Sequence, residues 1–104
     1  MRPLRLAVFF TLICAASPSF AAPALRLQAG TNGFIVFSDS SDRAYYQCDI
    51  SVRVKFADGS LLDTSNSVSV RGGAQNDPVW QVTYQKALSG ADLARSNCVY
   101  VKSY

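Results

Sequence analysis

Three cysteines, seven aspartates, no glutamate and no histidine set the chemical repertoire of this 104-residue chain. Cys14 lies in an apolar run read below as a leader, so Cys48 and Cys98 remain as an even pair. In an exported chain such a pair is expected as a disulfide. Metal ligation is poorly served by two cysteines without histidine, and intermolecular pairing is the other alternative. Oxidised cysteines leave no thiolate nucleophile. Without His or Glu, the commonest general base and two usual zinc ligands are missing. A serine nucleophile needs an adjacent base; only Lys55, Lys86 and Lys102 are available, and nothing in the sequence places one in that role. Asp39 and Asp42, in Ser-Asp-Ser-Ser-Asp, lack the alternating oxygens and glycine of a calcium loop. Arg71-Gly72-Gly73 has no lysine and no following helix, so its glycines read as turn residues and not as a phosphate loop. The expectation is a non-enzyme with no metal and no cofactor.

The compartment follows from the start of the chain. Arg2 and Arg5 precede an apolar run over residues 6–16, too short to span a bilayer as a helix of roughly 20 residues. Pro18 and small residues through Ala21 complete the layout of a signal peptide. Ile13 before Cys14 is not the small residue a lipoprotein signal needs. The expected organisation is a signal peptide over 1–21 and a single domain over 22–104, periplasmic or secreted, with a bacterial source. Removing Arg2 and Arg5 from ten cations leaves eight against seven aspartates, a net charge of +1. Those eight are dispersed along the sequence, which opposes nucleic-acid binding.

Strand-forming residues dominate, and apolar runs recur between turns at short intervals, as in a small antiparallel β-sandwich or partly closed barrel of about six to seven strands. Tyr46, Cys48, Ile50, Val52, Val54 and Phe56 alternate with Gln47, Asp49, Ser51, Arg53 and Lys55. This predicts a strand with one face in a core and one in water, turned by Asp58-Gly59. Leu25 and Leu27 predict a short first strand. Residues 34–37 are apolar on both faces, which fits a central or covered strand. Residues 61–62 begin a return, 63–66 read as a loop, and Val68 and Val70 alternate again. After a long connection, Trp80, Val82 and Tyr84 share one face. Residues 89–92 read either as a helical turn or as a loop, and residues 97–104 as the last strand. Strict alternation from an inward Cys98 also sends Tyr100 and Lys102 inward. A lysine there requires a bulge near the strand's start, cover on both faces, or a bridge at the sheet's margin.

A disulfide between strands near an aromatic resembles an immunoglobulin-type domain, and a stapled sandwich with a C-terminal strand resembles chaperone-assembled pilins. Both likenesses are architectural only: Trp80 lies 32 residues after Cys48, and Tyr100 follows Cys98 instead of preceding it.

The functional expectation is a small exported interaction protein that binds another protein. The polar face of the long strand, with Tyr45, Asp49, Arg53 and Lys55, is the candidate binding surface. The alternative is a carbohydrate or envelope-glycan binder using Tyr45, Trp80 or Tyr84. No stable membrane insertion is expected once the leader is removed.

Overall fold

The computed structural model describes residues 22–104. The readings of residues 1–21 as a signal peptide, and of Arg2, Arg5 and Cys14, lie outside them. The regular elements of the described chain are all strands: β1 (Ala24–Ala29), β2 (Gly33–Asp39), β3 (Ala44–Phe56), β4 (Leu61–Arg71), β5 (Asp77–Thr83) and β6 (Leu88–Ser103). They form two antiparallel three-stranded sheets, ordered β1-β2-β5 and β4-β3-β6, packed as a small β-sandwich. Across the sandwich β1 lies beside β6 and β5 beside β4.

The core is built from the period-two residues. Along β3, Ala44, Tyr46, Cys48, Ile50, Val52, Val54 and Phe56 are buried, facing Phe34 and Val36 of β2 and joined by Val70 of β4. Each such Val or Ile contributes about 1.5–3 kcal/mol on burial. Trp80 meets Phe34 edge-on at 5.1 Å, and Tyr84 meets Phe56 edge-on at 5.3 Å. Leu25 and Leu27 pack on the same core from β1. The β3–β4 turn closes through the Gly59 amide on the Phe56 carbonyl, with Gly59 at φ 92°. Glycine takes that left-handed backbone without a Cβ clash.

Two expectations are corrected. Residues 63–66, read as a loop, are strand: Asp63, Thr64, Ser65 and Asn66 pair in unbroken register with Arg53, Val52, Ser51 and Ile50. Their polarity reflects an edge strand supplied with a complete ladder by β3, not a break in the chain. Residues 89–92, read as a helical turn or loop, lie inside β6.

The Lys102 difficulty also has an answer. β6 has 16 residues against 13 in β3, and the surplus is taken up by three bulges. Register shifts leave Ser89, Ala94 and Val101 as the extra residues. Each bulge resets the phase, so Leu88, Ala91, Leu93, Cys98 and Tyr100 all oppose inward positions of β3. The bulge at Val101, near the strand's end and not its start, returns Lys102 to the outer face opposite Tyr45. A similar shift in β5 leaves Val79 extra and places Pro78 on an edge strand, where a missing N–H is tolerated.

The disulfide joins Cys48 and Cys98, directly opposite neighbours within one sheet. The immunoglobulin-type bridge runs between sheets, so the likeness stops at the layer architecture.

Candidate functional site

The outer face of the β4-β3-β6 sheet carries the residues singled out by alternation. Tyr45, Gln47, Asp49, Ser51, Arg53 and Lys55 project there from β3, each flanked by a partner on β4 and another on β6. Along most of its length the face satisfies itself. The Gln47 amide donates to the Ser67 hydroxyl at 2.8 Å and accepts from Ser69 at 3.0 Å. Ser67 in turn donates to Asp49 at 2.8 Å. Ser51 and Ser65 are bonded across the strands at 3.0 Å. Arg53 holds Asp63 through two nitrogens, at 2.9 and 3.3 Å. This hydrogen-bonded pair keeps the Asp63 carboxyl below its ordinary pKa and raises that of Arg53.

The four predicted residues therefore share a face but not a site. Tyr45 and Lys55 lie ten positions apart on one strand, roughly 33 Å at the usual rise. Asp49 is engaged by Ser67, Arg53 by Asp63, and Lys55 stands exposed between Leu61 and Gly90 at the far end. Trp80 and Tyr84 pack against the core; of the three aromatics considered for sugar stacking, Tyr45 alone lies on this outer face.

The Tyr45 end is different. Arg71 opposes Tyr45 on β4, and Lys102 opposes it on β6. Tyr104 folds back so that its ring lies 4.9 Å from that of Tyr45, and its hydroxyl donates to the Gly72 carbonyl. Arg71 and Arg43 both sit over the Tyr104 ring, at 4.9 and 5.4 Å, and Lys102 over the Tyr45 ring at 5.4 Å. Beside this cluster Val99 and Val101 are 57% and 55% exposed, which leaves an apolar strip at the edge of the sheet.

Comparison with protein-family models, with curated proteins and with solved structures gives no match, so no relative's function bears on this surface.

The loops beneath the cluster are held by backbone bonds. The Gly72 amide donates to the Ala44 carbonyl and the Gly73 amide to the Ser40 carbonyl, while the Ser40 amide donates to Ala74. A Cβ on Gly72 would meet the Asp42 carbonyl at 2.1 Å, so the β4–β5 loop needs glycine to pass this close. Asp39, the last residue of β2, ties the same region together. It accepts from the Asn76 amide at 2.7 Å and from Arg26 at 2.9 Å, in that order of effect, and its pKa is lowered. Asn76 takes φ 57°, where asparagine is better tolerated than most residues. Asp42 accepts from the Tyr46 hydroxyl at 3.2 Å. Burial first, then that carboxylate, raises the Tyr46 pKa. Sequence reasoning missed the Arg43, Arg71, Lys102 and Tyr104 cluster. Its only signal was Tyr45 on an otherwise polar face.

Proposed function

We propose that the chain is an exported, non-catalytic binding module, a disulfide-stapled β-sandwich that engages another protein through the outer face of its β4-β3-β6 sheet. One observation supports this reading above the others. A face whose polar groups are mostly satisfied by one another ends in exposed Val99, Val101 and Tyr104, beside the half-buried Tyr45 whose ring packs on that of Tyr104. Apolar and aromatic groups at the open edge of a rigid sheet are the usual anchors of a protein contact. The absence of His and Glu, and the use of both described cysteines in the bridge, agree with binding as the role. The disulfide is also consistent with an oxidising compartment.

A photocrosslinking side chain at position 99 tests the reading in exported protein. The expected result is a discrete protein adduct that the same group at Ser65, on the self-paired part of the face, does not form. Saturable binding to a glycan array, lost in Tyr45→Ala with the fold intact, would replace the protein partner with a carbohydrate.

A further inference from the structure

The eight cations of residues 22–104 divide into two groups. Arg26, Arg53 and Lys86 are paired with Asp39, Asp63 and Asp58, each at 2.9 Å. The other five make no ion pair among the described residues, and three of them, Arg43, Arg71 and Lys102, converge on the two tyrosine rings. The Arg43 and Arg71 guanidinium carbons, 5.4 and 4.9 Å from the centre of the Tyr104 ring, are at most about 10 Å apart, about one Debye length, so their repulsion is only partly screened. Rings hold the guanidinium planes by cation–π attraction but do not neutralise them. The in-plane N–H donors of each guanidinium remain available for bidentate contact with a carboxylate.

The cluster borders a groove of about 490 Å³ between the end of β4 and Tyr104, floored by Gly72 and Gly73. Asp77 lines the same groove, while the Asp42 carboxylate accepts from Tyr46 and its backbone carbonyl approaches Gly72. The amides of both glycines are already used, so recognition there falls to the side chains of Arg43 and Arg71.

We propose that this cluster is the receptor for an acidic segment of the partner protein, one that sets carboxylates against Arg43, Arg71 and Lys102 and apolar side chains on Val99 and Val101. The inference rests on the reading of this face as a protein-binding surface and specifies its partner's chemistry. A neutral sugar is disfavoured because the rings are already covered by cations and by each other. A long polyanion is disfavoured because the positive zone is short. Farther along the face Asp49, Asp63 and Asp92 are balanced by Arg53, Lys55 and Arg95, so that stretch offers no net positive track to a nucleic acid or sulfated glycan laid along the sheet. A short acidic and apolar segment fits both the charges and the valines.

The test uses the full domain and a fluorescein-labelled peptide of alternating valine and glutamate, followed by anisotropy. Its controls are the valine–glutamine peptide, heparin and anionic vesicles. The valine–glutamate peptide is expected to bind with an affinity that falls as salt rises. R43Q and R71Q should each weaken it about tenfold, and K102Q less. K55Q and R95Q, the two remaining unpaired cations, should leave it unchanged. Unaltered thermal midpoints and near-ultraviolet dichroism confirm that the variants fold. The proposal is overturned if R43Q and R71Q bind like the parent or if K55Q and R95Q are equally impaired. It is also overturned if the glutamine peptide binds as well, or if heparin or vesicles bind more tightly through the same arginines. A position-99 adduct that persists in R43Q/R71Q would sink this inference alone and leave the protein-binding reading standing. Absence of any protein adduct in the parent protein would overturn the protein-binding reading and this inference with it.

Discussion

Replacing both cysteines by valine, in C48V/C98V, isolates what the cross-link does for stability. Cys48 is fully buried and Cys98 half-buried. A valine pair refills most of the volume at directly opposed strand positions, so the loss of the covalent tie dominates. The bridge spans a sequence separation of 50. Closing a loop of that size removes about 14 cal/mol/K from the denatured ensemble, or about 4 kcal/mol at 25 °C. A domain of this length has a total stability of roughly 4–12 kcal/mol, so the variant should sit near the edge of folding. Urea unfolding followed by tryptophan fluorescence reads the difference. With a slope near 1 kcal/mol/M, at the low end for small domains, the midpoint should fall by roughly 3–4 M. The kinetics give a second reading. A tie that acts on the denatured chain should chiefly slow refolding when removed, because β3 must then find β6 across the sequence. Unfolding rates should change far less. A midpoint shift below about 1 M would refute the reasoning, since it would mean that the denatured chain already holds β3 and β6 together. A loss expressed wholly in the unfolding rate would refute it too, by placing the effect in native packing.

Deleting the bulged Ala94 should be tolerated within about 1 kcal/mol, since Leu93 and Arg95 already pair with adjacent residues of β3. Deleting the laddered Ser96 should cost several times more by forcing Cys98 or Leu93 out of phase; equal losses in thermal melts would refute the bulge assignment. Gly33→Ala should destabilise by at least about 2 kcal/mol, because its Cβ would lie 2.2 Å from the Val82 carbonyl oxygen. Gly90→Ala, with nothing within 4 Å, should be neutral or stabilising by about 0.5 kcal/mol. Asp39, Asp58 and Asp63 all have folded pKa values below 3.8, through Asn76 and Arg26, Ser60 and Lys86, and Arg53 respectively. Their stabilisation is complete above the unfolded-state value and is lost as pH falls through the folded ones. Urea midpoints should therefore drop below about pH 4 and stay flat between about pH 5 and 7, where no histidine or glutamate titrates. D39N should shrink the acid-side drop, and an unchanged drop would remove Asp39 from that account.

The long strand β3 was legible because its two faces obey one period over thirteen residues and its turn is written in Asp58-Gly59. The pairing of Cys48 with Cys98 followed from parity. β6 was legible only near its end. Its residues opposite inward positions of β3, Leu88, Ala91, Leu93, Ser96, Cys98 and Tyr100, are spaced by three, two, three, two and two, a pattern that no unbroken strand produces. Bulges depend on what the neighbouring strand offers, which lies some forty residues upstream. β4 was obscured differently, because Asp63, Thr64, Ser65 and Asn66 form a strand only by virtue of their ladder with β3. On the outer face, alternation found Tyr45 but also grouped it with Lys55 at the opposite end. Arg43, Arg71 and Lys102 are dispersed in sequence, and only the sheet register and the return of Tyr104 gather them.

The three bulges of β6 also bear on how this edge would pair with another chain. An edge strand is a template, and one displaying Val99 and Val101 in the open would ordinarily invite another chain to add itself indefinitely. Here the regular stretch between the bulges at Ala94 and Val101 covers only residues 95–100. A strand docking along that edge falls out of phase at either end, and the extra local twist turns the next segment away. The same irregularity would leave room for one short strand or loop against the valines while denying a long one the repeat it would need to grow a fibril.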